Sequence, residues 1–395
     1  MRAPLPPADL ADLGLCPTRM RHLVGVFQAD VASGRLPGAV LVLARHGRIA
    51  LMESIGTLDP ARKVPMALDA VFRIYSMTKP IVSVAVMMLI EQGRLKLADP
   101  VHQHLPEFAR QQLAVQTANG VELRPVARAA TVQDLLRHTA GLTYEFLGDS
   151  SVQELYRQEK VGARARSNAE FSQTLAALPL MFEPGSVWAY SRATDVLGRL
   201  IEVVTGQTLA EHLEQAILGP LGMKDTAFAV PKADHARIAE PFAHDPDGGV
   251  PMQLIDPRET PALHSGGGGL MSTAADYARF LQFMLNKGEL GGVRLLGPRT
   301  VDFMTADHLG PIPGNDPSLL PPGHGFGLGF AVRTAAGQAP MPGSVGTYHW
   351  SGIGGTSFFV DPAEQLFGIF LAQAPNQREH YRALFRTLAY AALVD

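Results

Sequence analysis

Ser76-Met77-Thr78-Lys79-Pro80 stands directly before an apolar run that continues to about residue 92. Proline lacks an N–H and is tolerated only near the first turn of a helix, so a helix over this run begins close to Ser76. Positions three apart share a helix face, which brings the Lys79 amine to the Ser76 hydroxyl. A serine alcohol is a weak nucleophile until a neighbour takes its proton, and the positive end of a helix favours a developing oxyanion. With seven lysines and sixteen serines in 395 residues, chance supplies roughly 0.3 Ser-x-x-Lys pairs, so the helix-start position carries more weight than the spacing. A capping serine beside an exposed lysine is the plain alternative.

Other chemistries lack their residues. None of the sixteen serines lies in a Gly-x-Ser-x-Gly frame, which removes the nucleophile elbow of an α/β-hydrolase. The sequence has no His-Glu-x-x-His, no Gly-x-x-x-x-Gly-Lys and no Gly-x-Gly-x-x-Gly after a strand. His102 and His104 form one close pair in a turn context, too few ligands for a closed metal site, so neither a metal nor a cofactor is expected.

The elements that must position these groups follow from periodicity. Residues 38–56 read as a hairpin turning at His46-Gly47, and 355–360 with 366–372 as a second one turning through Asp361-Pro362-Ala363-Glu364. Residues 81–92, 132–138, 171–177, 193–205, 209–218, 273–286 and 378–393 carry helical spacing. Strands at both chain ends around a helical middle predict one antiparallel sheet with the helices inserted as a second lobe. The boundaries expected are 1–75 with 287–395 for the α/β lobe and 76–286 for the mostly helical one. Residues 230–269 and 309–329, rich in Pro, Gly and Asp, are read as long loops shaping a cleft.

The formal charge is −3 with no basic run, so nucleic acid and anionic membranes are excluded as main partners. The longest apolar run, 81–90, falls far short of the roughly 20 residues of a membrane span. The proline-rich start, with an acid at Asp9, is unlike a signal peptide, and the lone Cys16 allows no intrachain disulfide; both point to the cytoplasm.

Two further motifs extend the nucleophile. Pro184-Gly185-Ser186-Val187-Trp188-Ala189-Tyr190-Ser191-Arg192 sets a tyrosine before a helix, and His349-Trp350-Ser351-Gly352-Ile353-Gly354-Gly355-Thr356 opens the last hairpin. With these the sequence resembles the serine β-lactamase and penicillin-binding-protein superfamily, in particular the class C β-lactamase-like branch that includes the family VIII carboxylesterases. Residues 94–101, 131–142, 220–226 and 267–276 extend the resemblance over nearly the whole chain. It implies an α/β fold of the α+β type, an antiparallel sheet flanked by helices plus a mostly helical lobe, with the site between the lobes.

On this resemblance Ser76 is the acylated nucleophile, Lys79 and Tyr190 form the base system, and the backbone N–H groups of Ser76 and Ile353, on an edge strand, form the oxyanion hole. A tyrosine titrates near pH 10 and acts as a base near neutrality only with cationic neighbours; which of Lys79 and Tyr190 holds the proton stays open. Two positions depart from the β-lactamase pattern. Arg192 stands where the second motif usually ends in Asn, and Trp350-Ser351-Gly352 replaces Lys-Thr-Gly, whose lysine pairs with the β-lactam carboxylate. Trp-x-Gly resembles family VIII esterases. Trp350, Gly352, Arg192 and Tyr144 are the expected substrate contacts, with wall packing the alternative for Trp350 and a solvated charge that for Arg192. Residues 144–172, including Phe146, Leu147 and Tyr156, are expected to cap the acyl pocket. The expected function is a serine carboxylesterase acting on small, short-acyl esters through an acyl-enzyme on Ser76. A β-lactamase or D-alanyl peptidase, and an amide hydrolase or acyltransferase of the same fold, are the alternatives. A binding protein without catalysis is disfavoured by the intact Ser76, Lys79 and Tyr190. The natural substrate and the oligomeric state are not readable.

Overall fold

The computed structural model describes residues 4–118 and 120–394, so residues 1–3 of the N-terminal stretch lie outside it. Its main sheet contains β1 (Gly38–Arg45), β2 (Arg48–Asp59), β3 (Val64–Pro65), β4 (His324–Phe326), β5 (Ala331–Arg333), β6 (Tyr348–Gly352), β7 (Thr356–Asp361) and β8 (Leu366–Ala372). The order is β4-β5-β6-β7-β8-β1-β2-β3, and neighbouring strands run antiparallel. The two ends of the chain meet inside this sheet, where β1 pairs with β8 and Val42 faces Ile369. All eight residues of β1 are buried, which is why it reads as a continuous apolar run rather than an alternating one. His46 and Gly47 both take positive φ, the geometry that a tight two-residue hairpin requires.

Helices cover both faces. On one, α1 (Pro17–Ala32) and the closing helix α6 (Arg378–Ala391) press Leu23, Phe27, Tyr381 and Phe385 against Leu41, Leu43 and Phe370. On the other, Val40, Val42 and Ile369 join the larger core with α2 (Thr78–Glu91) and α5 (Ala274–Leu285). The boundary drawn at 286 places α5 in the helical lobe, whereas α5 packs on β1, β7 and β8.

The central helix is α2, buried at eleven of its fourteen positions. A helix apolar all round belongs inside a protein, and each fully buried Ile, Val or Leu contributes about 1.5–3 kcal/mol, which offsets the cost of carrying one lysine inside. It packs against α4 (Ala193–Thr205), while α3 (Ser151–Gln158) stands near the cleft and starts with a capping box between Ser150 and Gln153. A two-stranded pair, Phe72–Arg73 with Met271–Ser272, ties the chain entering α2 to the end of the glycine run 266–269. Among the described residues no helix is long and apolar enough to cross a membrane.

Candidate active site

Ser76 does not cap a helix. It is the middle residue of a short 3-10 turn, Tyr75–Met77, that runs into α2, and no side chain caps either element. Tyr75 holds φ +43°, a left-handed conformation that costs free energy in a non-glycine residue. The turn is fixed from several sides. Tyr277 donates its hydroxyl proton to the Met77 carbonyl at 2.9 Å, Leu270 N–H donates to Thr78 Oγ1 at 3.1 Å, and Ile255 N–H donates to the Tyr75 hydroxyl at 3.1 Å. Ser76 is left half-buried on the wall of a cleft of about 500 Å³.

Lys79 is 2% exposed, and its Nζ lies 3.3 Å from Ser76 Oγ, 2.9 Å from the Tyr144 hydroxyl and 2.6 Å from the Gly267 carbonyl. A neutral amine has two N–H groups and one lone pair. Gly267 O and Tyr144 O take the two hydrogens, which leaves the lone pair for the Ser76 proton. Burial is the main influence on Lys79; Asp195 opposes it and Arg192 adds to it, and the pKa falls to about 7. Near neutral pH the amine is therefore partly unprotonated.

Tyr190 sits under the same ammonium, with Lys79 Nζ 4.5 Å from its ring centre. Burial raises its pKa, and contacts from Ser76 and Trp350 offset only part of that rise, so Tyr190 stays a phenol at neutral pH. Of the two residues, Lys79 is thus the one whose pKa is drawn down toward neutrality, while that of Tyr190 is driven up. Tyr190 oxygen accepts a hydrogen bond from Trp350 Nε1 at 3.2 Å. The indole N–H is thereby used within the site, and Trp350, 5% exposed and packed edge-on against Phe326, serves as wall.

Arg192 lines the cleft without a free charge. Glu145 grips its guanidinium with both carboxylate oxygens, Asp195 lies 3.6 Å away, and the group rests on the Tyr144 ring. The guanidinium is not the solvated charge given as the alternative: it is an internal tie that borders the cleft. Tyr144, 4% exposed, is primarily a partner of Lys79. Gly352 is required by a close approach: a Cβ there would lie 2.4 Å from the Ile74 carbonyl. Ile353 follows in the turn after β6 and reaches the cleft with Ser76. Its strand is not a sheet edge, since β6 lies between β5 and β7; the ladder to β5 stops at His349, and only Trp350–Gly352 is open on that side. Phe146 and Leu147 line the cleft, whereas Tyr156 is fully buried in the core beneath it.

Three participants escape sequence reasoning. Asp195, on α4, accepts hydrogen bonds from Ser265 Oγ and Gly267 N–H and supplies the anion that raises Lys79. Gly267 supplies the carbonyl to Lys79, and a Cβ at this position would lie 2.5 Å from Asp195 Oδ2. The four-glycine run was the available signal. Arg382 reaches from α6 to donate to Ser351 Oγ at 2.6 Å and pairs with Glu379. Burial, with Arg378 and Arg386 nearby, lowers its pKa to about 10. His104 pairs with Asp99 at 3.1 Å, and no group of three or more metal-ligating side chains occurs among the described residues.

Known proteins share this architecture. Esterase EstB of Burkholderia gladioli is 37% identical over 365 residues, 87% of each chain. Lovastatin esterase of Penicillium rubens is 30% identical over 376 residues, covering 88% of this chain and 91% of its own. The solved structure of EstCE1, described as a hydrolase with promiscuous acyltransferase activity, superposes with a TM-score of 0.80 at 29% identity, over 94% of this chain and 98% of that one. The family model described as Beta-lactamase matches residues 23–392, nearly the full length, and the chain belongs to that family.

Proposed function

We propose that this protein is a serine carboxylesterase that hydrolyses small esters through an acyl-enzyme on Ser76. The observation that carries the reading is the buried Lys79 Nζ, 3.3 Å from Ser76 Oγ and hydrogen-bonded to the Tyr144 hydroxyl and the Gly267 carbonyl, which in its neutral form can accept the Ser76 proton. Lys79 takes the Ser76 proton as Oγ attacks the ester carbonyl, and the backbone N–H groups of Ser76 and Ile353 receive the oxyanion. Tyr190 gives its hydroxyl proton to the departing alcohol and regains one from Lys79, so the acyl-enzyme forms with both groups reset. Water then attacks the acyl carbonyl, Ser76 Oγ leaves, and the water proton returns to it through Lys79.

A neutral ester suits the cleft, whose walls include Phe146, Leu147, Ile255, Leu263, Leu319 and Trp350. β-Lactam opening is the weaker reading. A ring carboxylate needs a cation where Trp350 stands in place of the lysine, and of the arginines lining the cleft Arg192 is held by Glu145 and Asp195, Arg378 and Arg382 share Glu379, and Arg164 is engaged by the Asp256 and Glu259 carbonyls. The relatives named as esterases support the same choice. The reading places the protein in the cytoplasm, where the single Cys16 stays a thiol.

The test is kcat/KM across p-nitrophenyl esters of increasing acyl length and across penicillins and cephalosporins. Short-acyl esters should exceed every β-lactam by several orders of magnitude, and Ser76→Ala should abolish the ester activity. Comparable rates on nitrocefin and p-nitrophenyl butyrate would replace this reading with a β-lactamase.

A further inference from the structure

Tyr190 and Leu147 line two cavities rather than one. The first is the cleft above Ser76; the second, of about 420 Å³, lies on the other side of the segment 143–148. Tyr144 and Phe146 face the cleft, Thr143 and Gly148 face the second cavity, and Leu147 contributes to both. The two spaces differ in chemistry. The cleft walls are largely apolar, while the second cavity gathers the side chains of Thr143, Ser150, Gln153, Asn315 and Asp316. Its wall is also wired to the base, since Gln153 Nε2 donates to Thr143 Oγ1 and to the Tyr144 carbonyl, each at 3.3 Å, and the Tyr144 hydroxyl contacts Lys79.

An acyl-enzyme needs water at its carbonyl while acyl and alcohol groups occupy the apolar cleft and exclude solvent from it. A polar space of about 420 Å³ bordering the same tyrosine has the room and the polar partners to hold water. We infer that this second cavity is the water side of the acyl-enzyme: it delivers the deacylating water past Tyr190, and so sets how an acyl group divides between water and a competing alcohol in the cleft. The inference rests on Ser76 being acylated. In the step, the water oxygen bonds to the acyl carbon and the carbon–Ser76 Oγ bond breaks. One water proton passes through Lys79 to Ser76 Oγ, and the other stays with the carboxylic acid product.

Asn315 is exposed at the rim, and its backbone N–H, which donates to the Trp188 carbonyl at 3.0 Å, survives substitution. Asn315→Phe fills the cavity and Asn315→Ala enlarges it. Each is given p-nitrophenyl butyrate with a fixed concentration of benzyl alcohol, whose aromatic ring suits the apolar cleft, and benzyl butyrate and butyric acid are quantified. Asn315→Phe should raise the ester-to-acid ratio about fivefold, with the p-nitrophenol burst rate within about twofold of wild type, and Asn315→Ala should not raise it. Met181→Phe, filling the cavity from another wall, should act like Asn315→Phe and replaces it if that variant does not fold. An unchanged ratio in the filled variants, or equal shifts in Asn315→Phe and Asn315→Ala, would overturn the inference while leaving the esterase reading intact. Failure of wild type to form acyl-Ser76 on any ester would overturn both.

Discussion

The Lys79 amine titrates at about 7, so its neutral fraction is about a tenth at pH 6 and about nine-tenths at pH 8. Only the neutral form can accept the Ser76 proton. For a neutral ester, kcat/KM should therefore rise roughly tenfold between pH 6 and pH 8 and level off above. Tyr190 and Tyr144, both raised by burial, stay protonated over this range, and His138, lowered by burial, stays neutral, so none of them contributes a second limb. Two substitutions should move the limb in opposite directions. Asp195→Asn removes the anion that raises Lys79 and shifts the limb to lower pH; Arg192→Ala removes a cation that lowers it and shifts the limb to higher pH. General loss of structure lowers the plateau but does not produce opposite displacements. The assay is initial-rate hydrolysis of p-nitrophenyl butyrate, followed at the isosbestic point of p-nitrophenol and corrected for spontaneous hydrolysis. A flat profile from pH 6 to 8, a rise confined to the range of an ordinary lysine near 10, or shifts of the same sign in the two variants would refute the assignment.

Lys79→Ala and Tyr190→Phe should each cripple ester hydrolysis, with the double variant barely worse than either single one, because the pair moves one proton; additive losses in kcat would count against a shared unit. Trp350→Phe removes the indole donor to Tyr190 and should lower kcat about tenfold with little change in KM, the size of one ordinary hydrogen bond. Trp350→Lys should lose ester activity without gaining β-lactam hydrolysis, since it removes the indole donor to Tyr190 and sets a buried charge against the Tyr190 ring; nitrocefin turnover reads this out. Gly267→Ala places a methyl 2.5 Å from Asp195 Oδ2 and 2.9 Å from the Tyr144 hydroxyl, and should cost about 1–3 kcal/mol in denaturant unfolding together with most of the activity.

The legible parts of the molecule are those governed by local pattern. The tight turn at His46-Gly47 and the break at residues 361–364 define the hairpins that form the centre of the sheet, and the α4 residues follow helical spacing from the position after Arg192. The hairpin Gln112–Thr117 with Gly120–Pro125, and β4 inside the segment read as a loop, carry too few residues of either period to announce themselves. The side on which α5 packs is equally invisible, because its apolar stripe does not say whether a sheet or a helix faces it. At the site, Ser76, Lys79 and Tyr190 stand out by residue type. Their electrostatics do not, since Asp195 lies 116 positions from Lys79 and looks like any acid in the first turn of a helix. Arg192 misleads for the same reason: its acidic partner Glu145 comes from a loop 47 residues earlier.

The central claim is that Ser76 carries the acyl group. Mixing the protein with p-nitrophenyl butyrate, quenching in acid within the burst and measuring intact mass and peptide masses tests it directly. The expected result is one butyryl group per chain on the peptide containing Ser76, absent in Ser76→Ala although that variant keeps the wild-type unfolding midpoint, since the Ser76 hydroxyl caps neither the turn nor α2. Butyryl on a different residue, or turnover retained in Ser76→Ala, would contradict it.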